Sequence, residues 1–325
     1  MVEAMPLRRA LAAMIGLSVL TSGCSSSDTP PIGLDTSFSA QIASSWHTAG
    51  SPQRVQVGVI ARDANGVRFL TQGTVAVSFA FLGADGGSAP VEGPSATAAY
   101  VPVPGTEGGG GEPVLSGTSR GVYEADDVVF DRPGVWRTNL RFPLDGVDRE
   151  LDATFSVADR SPIPAPGDRA PRTRNLTIDS KGADPASIDS MAAGGGEIPD
   201  PDLHRWTIAD AIDQGRPALV LFGTPAYCES RFCGPEVTEL ERLASEHPDR
   251  AVYVHIEIWK DYESQVVNEA AADWLLVRGP DGSVDLIEPY LFLIGADGRI
   301  VDRWGPLFDS AQVEAELEAL PPMAS

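Results

Sequence analysis

Apolar and polar residues alternate along much of the stretch from residue 37 to residue 158. In residues 54–60 and 75–81 every second side chain is apolar, which predicts strands with one buried face. The Asn65-Gly66 pair between them predicts a tight hairpin turn. Short strands with frequent turns and no helical spacing predict an all-β antiparallel sandwich over 37–158. Further strands are predicted at 96–103, 121–129, 135–142 and 153–157.

Beyond residue 203 the spacing of apolar residues changes. Continuous apolar runs predict buried strands, and apolar residues three and four apart predict helices. Thr207 predicts a short helix before the first strand, because its side chain can cap a helix N-terminus. The remaining elements follow the order β-α-β-α-β-β-α, which predicts an α/β domain over 203–325. The predicted strands are 218–223, 251–258, 290–294 and 299–304, and the predicted helices end near 246, 276 and 320.

The N-terminus has the pattern of an export signal. Arg8 and Arg9 precede an apolar run at 11–20, which is too short to span a bilayer as a helix. Small residues then lead to Cys24, and this stretch resembles the lipobox of bacterial lipoproteins. The resemblance implies a signal peptide over 1–23 and a lipid anchor, such as palmitate, on Cys24. It places the chain in the cell envelope, on a bacterial membrane and facing away from the cytoplasm. A plain secretory peptide is the alternative.

Two other segments have the composition of connectors. Residues 24–36 are rich in Ser, Pro and Asp, which predicts a flexible tether after the lipidated cysteine. Residues 159–202 contain repeated Pro and Gly residues, which predict a linker between the β domain and the α/β domain.

The charge of the chain excludes one class of partner. Asp and Glu number 46 against 24 Lys and Arg, so that the formal net charge of the 325 residues is −22. Nucleic acid needs a basic surface, and we therefore expect no nucleic-acid binding. The strong negative charge also disfavours peripheral binding to anionic lipids, so the lipid on Cys24 is the predicted contact with the membrane.

The chain has three cysteines, and an acylated Cys24 would leave only Cys228 and Cys233. An exported protein meets an oxidising environment, in which two thiols can pair. On a regular helix, residues five apart have Cα atoms roughly 8–9 Å apart, whereas a disulfide needs less than about 7 Å. The sequence therefore predicts a loop between the two cysteines, with the helix beginning at about Gly234-Pro235.

Two stretches of the chain resemble known modules. Residues 121–136 are similar to strand-turn-strand segments of immunoglobulin-like bacterial domains, which implies an immunoglobulin-like sandwich. The region from 203 to 320 resembles the thioredoxin-like family. That resemblance is carried by Tyr227-Cys228, by the helix after Cys233, and by Glu288-Pro289-Tyr290 before a predicted strand. It implies a thioredoxin-like fold and a cis peptide bond before Pro289.

The thioredoxin-like resemblance also implies roles for individual residues. Cys228 would attack a substrate and Cys233 would resolve the mixed disulfide, while Tyr227, Glu288 and Pro289 would contact the substrate peptide. The chain departs from the family in having four residues between its cysteines where the family has two. It also has an apolar residue, Leu221, where the family has a buried acid. We therefore expect a less reactive pair than in a fast reductase.

Three functions follow from this reading. The first is thiol–disulfide exchange with thiols or disulfides of extracytoplasmic proteins, which needs no dissociable cofactor. The second is a non-enzymatic binding module in which the disulfide is structural. The third is a copper carrier, for which His255 is the candidate third ligand beside the two cysteines. His255 lies within a predicted core strand and is expected to be a packed residue, so no metal ligand is assigned.

Overall fold

The structure is a computed structural model that describes residues 32, 35–106, 108–228, 230–278 and 282–323. The predicted signal peptide and the predicted lipidation site, Cys24, lie outside these residues. Among the helices of the described residues, none combines the length and the apolar character that crossing a membrane requires.

A ten-stranded sheet dominates the first half of the described chain and curls into a half-barrel. Its strands follow the order β2-β10-β9-β5-β6-β8-β3-β4-β7, and β1 pairs with β3 beside this path. All neighbours are antiparallel except β2 and β10, which are parallel. The strands are β1 (Ser37–Ile42), β2 (His47–Thr48), β3 (Gln53–Asp63), β4 (Gly66–Thr71), β5 (Thr74–Phe81), β6 (Val91–Pro102), β7 (Val114–Ser116), β8 (Gly121–Val128), β9 (Gly134–Leu144) and β10 (Val147–Ala158).

Alternation along these strands gives the large sheet one buried face. In β5, Val75, Val77 and Phe79 are buried while the residues between them are exposed. The ring of Phe79 meets Phe130 edge-on at 5.3 Å, and Phe130 lies 4.9 Å from Trp136. Aromatic pairs at such distances add to the stability that burial of their surface provides. The alternation seen in the sequence therefore corresponds to strands that are buried on one face.

The predicted immunoglobulin-like sandwich is nevertheless wrong. A sandwich requires two separate sheets packed face to face, whereas here the hydrogen-bond ladder continues from β10 to β7 without a break. The strand β3 pairs with β1 on one side and with β8 and β4, one after the other, on the opposite side, and β6 connects β5 to β8. Alternation reveals that one face is buried, but it does not tell whether a second sheet or the curl of the same sheet covers that face.

The second half of the described chain contains a four-stranded sheet with the order β12-β11-β17-β18. The strand β11 is parallel to β12 and antiparallel to β17, which is antiparallel to β18. Two short hairpins, β13–β14 and β15–β16, lie between β12 and β17 in sequence. The strands are β11 (Ala218–Gly223), β12 (Val252–Glu257), β13 (Trp259–Asp261), β14 (Val266–Val267), β15 (Leu276–Arg278), β16 (Val284–Leu286), β17 (Tyr290–Ile294) and β18 (Ile300–Trp304). The helices are α1 (Ile208–Asp213), α2 (Cys233–Glu246), α3 (Glu269–Leu275) and α4 (Ser310–Ala319).

Two apolar clusters bury the four-stranded sheet. One cluster includes Phe222, Phe292 and Trp274 of α3, and the other includes Leu219 and Leu240 of α2. All six residues of β11 are buried, because their side chains alternate between the two clusters. This two-sided burial explains why β11 has an uninterrupted apolar sequence.

The predicted thioredoxin-like α/β fold is likewise not what the structure shows. Among the described residues, 41% lie in strands and only 16% in helices, so the fold class is mostly β. Two of the four described helices, α1 and α3, have six and seven residues. The helix predicted over 264–276 forms only from Glu269, because Gln265 has a φ of +55° and residues 266–267 form β14. A residue with left-handed backbone angles interrupts a helix. The first part of this apolar segment therefore forms the β13–β14 hairpin, although its spacing is helical.

The predicted linker, 159–202, packs against the second half of the chain. It contains short 3₁₀ turns at Pro185–Ser187 and Ser190–Ala192, and a third turn, Pro201–His204, begins at its end. Trp274 donates a hydrogen bond to Thr173 Oγ1 at 3.0 Å, which ties this segment to α3. Gly33–Ser325 form one compact unit. The predicted boundaries at 36/37, 158/159 and 202/203 fall inside that unit, and the predicted domain division stays a prediction.

A polar network joins the large sheet to the four-stranded sheet and α4. Arg54 of β3 donates to Asp302 of β18, with Nη2 and Oδ2 2.8 Å apart. Glu124 of β8 accepts from Gln56 at 2.6 Å and from Gln312 of α4 at 2.9 Å. Burial raises the pKa of Glu124 to about 7, and the nearby Arg54 only partly offsets this effect. Glu124 therefore changes charge near neutral pH inside the network.

The raised pKa predicts that stability falls as pH rises from about 5 to 8. The folded protein holds a proton on Glu124 that the unfolded chain has already released, so ionisation of the folded carboxyl costs free energy. We expect a loss on the order of 2 kcal/mol, by the scale of 1.4 kcal/mol per pKa unit. The variant Glu124→Gln should show a flatter dependence of its unfolding free energy on pH, measured by urea titration at pH 5 and pH 8.

Glu92→Gln serves as the control, since Glu92 is an exposed carboxylate on β6 of the same sheet. It should keep the slope of the unmodified protein. Equal slopes for Glu124→Gln and the unmodified protein would contradict the assignment.

Candidate functional site

Cys228 and Cys233 form a disulfide between the end of β11 and the start of α2. Their Cα atoms are 6.1 Å apart, closer than a regular helix would place residues five apart in sequence. The predicted loop between them is confirmed: α2 begins only at Cys233, and Arg231 before it has a φ of +64°. The loop brings the cysteines together in front of the helix N-terminus.

The two sulfur atoms differ in exposure. Cys228 is half-buried, whereas Cys233 is completely buried. The backbone N–H of Cys233 donates to Cys228 Sγ at 3.4 Å, and Ser230 Oγ lies 3.2 Å from the same sulfur. Phe232, the N-cap residue of α2, makes no side-chain capping hydrogen bond. The positive end of α2 therefore faces the Cys228 sulfur, an arrangement that stabilises a thiolate.

Carboxyl groups lie on the Cys233 side. Glu288 Oε2 is 3.7 Å from Cys233 Sγ, so that a negative charge there opposes a thiolate on Cys233. Glu236, in the first turn of α2, is also buried and accepts a hydrogen bond from the Phe308 N–H at 3.3 Å. Burial raises the pKa of Glu236 well above its ordinary value, which favours its neutral form. The pair thus has a half-buried sulfur at a helix N-terminus and a fully buried sulfur beside the carboxyl group of Glu288.

Pro289 packs close to the disulfide. The peptide bond between Glu288 and Pro289 is cis, as predicted. Gly223 separates Pro289 from Cys233: a Cβ atom added to this glycine would lie 3.7 Å from Pro289 Cβ and 3.4 Å from Cys233 Cβ. The structure therefore brings Cys228, Cys233, Glu288 and Pro289 together, although their predicted roles toward a substrate stay predictions.

Tyr227 directly precedes Cys228 and belongs to an aromatic surface. Its ring stacks on Tyr262 with centroids 3.9 Å apart and an interplanar angle of 2°. Tyr262 is 39% exposed and meets Trp259 edge-on at 5.6 Å. Together, Tyr227, Tyr262 and Trp259 give an apolar surface next to the more exposed sulfur. Tyr262 and Trp259 were missed from the sequence because the short β13–β14 hairpin, which has no periodic pattern, brings them there.

A second group of chemically active side chains lies behind the disulfide loop and is buried. It consists of Asp189, His204 and His255, whose possible ligand atoms lie within 4.8 Å of one another. Burial alone would raise the pKa of Asp189, but the two histidines hold it below its ordinary value. Burial opposes protonation of His255, yet Asp189 raises the pKa of this histidine overall. Burial lowers the pKa of His204, and this effect outweighs the opposite effect of Asp189.

In the structure His255, the candidate third ligand of the predicted copper site, belongs to a different group of side chains from the two cysteines. His255 groups with Asp189 and His204, whereas the two cysteines group with Glu288. The sequence did not reveal the histidine cluster, because Asp189 falls in the predicted linker and His204 lies just after it. Asp189 and His204 are also far from His255 in sequence, and no repeating pattern of residues indicates that the three side chains meet.

Comparison with known proteins gives little further information. No protein-family model matches the sequence, and no curated protein matches it. Among solved structures, the crystal structure of MtrC from Shewanella baltica OS185 is similar with a TM-score of 0.22 and 11% sequence identity. That match covers 82% of this chain and 52% of the MtrC chain, so this chain spans about half the length of that protein. A likeness at this level supports no conclusion about fold or function.

The unequal burial predicts unequal reactivity after reduction. Cys228 should react with iodoacetamide at least about 10-fold faster than Cys233 at pH 7, because it is accessible and lies at the helix N-terminus. Mass spectrometry of the peptides containing each cysteine measures both rates in one sample.

The control is the same reaction in urea, in which the difference should disappear. Faster alkylation of Cys233 in the folded protein would contradict the assignment of the accessible sulfur.

Proposed function

We propose that the protein exchanges disulfides with other proteins outside the cytoplasm, through Cys228 and Cys233. The observation that carries the proposal is the pairing of one accessible sulfur, in front of a helix N-terminus, with one buried sulfur behind it. Exchange requires a sulfur that a partner can reach and a second sulfur that can leave. A purely structural disulfide needs neither feature.

The exchange can be written with all atoms and electrons in place. A substrate thiolate attacks Cys228 Sγ, the Cys228–Cys233 bond breaks, and its electron pair stays on Cys233 Sγ as a thiolate. A second thiolate of the substrate then attacks the substrate sulfur of the mixed disulfide and releases Cys228 as a thiolate. The substrate dithiol is oxidised to a disulfide, and the protein disulfide is reduced. The reverse sequence, started by the Cys228 thiolate, reduces a substrate disulfide.

Groups around the pair support this division of roles. The Cys233 N–H and the α2 N-terminus stabilise negative charge on Cys228. The carboxyl group of Glu288, 3.7 Å from Cys233 Sγ, is placed to exchange a proton with that sulfur when it leaves or returns. Tyr227 and Tyr262 offer an apolar surface on which a substrate peptide can lie beside Cys228.

The proposed location agrees with this chemistry. A disulfide persists in oxidising compartments and is rare in the cytosol. The lipid anchor proposed for Cys24 would hold the exchange site near the outer side of a bacterial membrane. Its partners there would be the thiols or disulfides of other envelope proteins. No dissociable cofactor takes part in the reaction as written.

A trapping experiment tests the proposal. In Cys233→Ser, Cys228 can attack a substrate disulfide but no second sulfur can release the product, so mixed disulfides should accumulate. They should be visible as reducible adducts in cell-envelope extracts. The matched variant Cys228→Ser should trap at least about 10-fold less, since its remaining sulfur is buried.

Cys24 is kept in both variants, so it cannot account for a difference between them. Equal trapping by the two variants, or no adduct with either, would contradict the proposal.

The reduction potential distinguishes exchange from a structural disulfide in a non-enzymatic binding module. Exchange proteins have potentials between about −270 and −120 mV, and structural disulfides lie below about −300 mV. We expect the Cys228–Cys233 pair in the first range. Glu288→Gln should make the potential less negative by roughly 10–30 mV, because it removes a charge that disfavours a thiolate.

Asp285→Asn is the control, since Asp285 is an exposed acid on the nearby strand β16. It should leave the potential unchanged. A value below about −300 mV in equilibrium with a dithiol buffer would favour the binding module instead.

A further inference from the structure

We propose that Asp189, His204 and His255 form a buried binding site for one divalent transition-metal ion of the zinc class. The three side chains come from different elements of the fold. Asp189 lies between two short 3₁₀ turns, His204 ends the turn Pro201–His204, and His255 lies in the middle of β12. Each of the three side chains is at most 1% exposed. The site is separate from the disulfide and does not depend on the proposed exchange activity.

The distances within the cluster fit metal ligands better than hydrogen bonds. Asp189 Oδ2 lies 3.3 Å from His255 Nδ1 and 3.5 Å from His204 Nε2. Hydrogen bonds between a carboxylate and a charged nitrogen are about 2.7–2.9 Å long. Ligand atoms about 2.0–2.1 Å from a tetrahedral zinc ion lie about 3.3–3.4 Å from one another. The two measured distances are close to edges of such a tetrahedron, and all three ligand atoms lie within 4.8 Å of one another.

The hydrogen-bond geometry of His255 is compatible with a metal ion at this place. Its Nε2 lies 3.1 Å from the carbonyl oxygen of Gly223, which can only accept, so Nε2 carries a hydrogen. In a neutral ring Nδ1 is then bare, and it faces a carboxylate oxygen that is also an acceptor. Either a proton on Nδ1 or a metal ion in its place would bridge these two acceptors, and the spacing of the cluster favours the metal ion. A ligating histidine that donates its other N–H to a backbone carbonyl is the usual support around a protein-bound metal.

His204 is a buried polar side chain without a hydrogen bond. Neither of its ring nitrogens meets hydrogen-bond geometry with a partner in the described part of the chain, its nearest acceptor being Asp189 Oδ2 at 3.5 Å from Nε2, and its side chain is 1% exposed. Buried polar groups in proteins are almost always paired, because an unpaired one loses its contacts with water and gains nothing in return. A bound ion would pair Nε2 of His204 and Nδ1 of His255 at once.

The surrounding charges suit a divalent ion. Asp189 Oδ1 accepts from the Met191 N–H at 2.8 Å, which holds the carboxylate in place and leaves Oδ2 directed at the histidines. Glu257, buried two residues after His255, adds a second carboxyl group, which accepts from the Ser190 N–H at 2.9 Å. Imidazole and carboxylate ligands suit zinc and cobalt, and three protein ligands leave a fourth position for another group.

Titration with Co²⁺ tests the site, since tetrahedral Co²⁺ absorbs visible light. The full-length oxidised protein is stripped with a chelator in urea and refolded with Co²⁺, because the ligands are buried. We expect one ion per chain, displaced by Zn²⁺. The variants His204→Gln and Asp189→Asn should bind at least 10-fold more weakly.

Two controls separate this site from the other groups with ligand spacing. His247→Gln removes the histidine of the half-exposed cluster Glu246, His247 and Glu314. The double variant Cys228→Ser with Cys233→Ser removes the sulfur ligands. Both should bind Co²⁺ as the unmodified protein does. Binding that depends on His247 or on the cysteines would overturn the proposal.

A measurement on the unmodified protein keeps the test decisive if a variant fails to fold. X-ray absorption of the zinc-loaded protein should show two imidazole nitrogens and at least one oxygen around the ion, with no sulfur. Sulfur ligation, or the absence of saturable binding, would overturn the proposal. The second result would indicate that the cluster is a proton-bridged pair of Asp189 and His255.

Discussion

The complete burial of β11 is the constraint on which the second half of the molecule depends. Its side chains alternate between two apolar clusters, and its backbone pairs with β12 on one side and β17 on the other. A strand held in this way has no freedom to shift, because a slip of one residue would exchange the two clusters. The last residue, Gly223, is therefore fixed against three separate features: Cys233, Pro289 and the ring of His255.

Polar contacts hold the two halves of the compact unit together. The curled sheet presents Arg54, Gln56 and Glu124 to β18 and α4, and Gln312 accepts from Arg54 at 2.8 Å while donating to Glu124. Arg54 also lies over the ring of Trp304, 5.1 Å from its centroid. A small apolar cluster, in which Leu307 packs with Val101, Val103 and Val122, lies between the halves as well. Because hydrogen bonds are directional, the polar contacts give the association of the halves a specific geometry.

The sequence predicted local features better than the overall architecture. Most strands were foreseen from alternation and from apolar runs, and the loop between the cysteines followed from helix geometry alone. The fold class was wrong for two reasons. Alternation does not reveal which sheet covers a buried face, and Gln265 interrupts a region whose apolar spacing is helical. The resemblance to thioredoxin-like proteins rested on a few residues around the cysteines and Pro289, and it correctly predicted the cis bond but not the fold.

Gly223 has a consequence for recognising this arrangement in other chains. A methyl group there would just fit, at 3.4 Å from Cys233 Cβ, whereas a longer side chain would collide with the sulfur or with Pro289. Only the two smallest amino acids are compatible with a strand end so close to the disulfide. A glycine or alanine five positions before the first cysteine is therefore expected in any chain that adopts this arrangement around the disulfide.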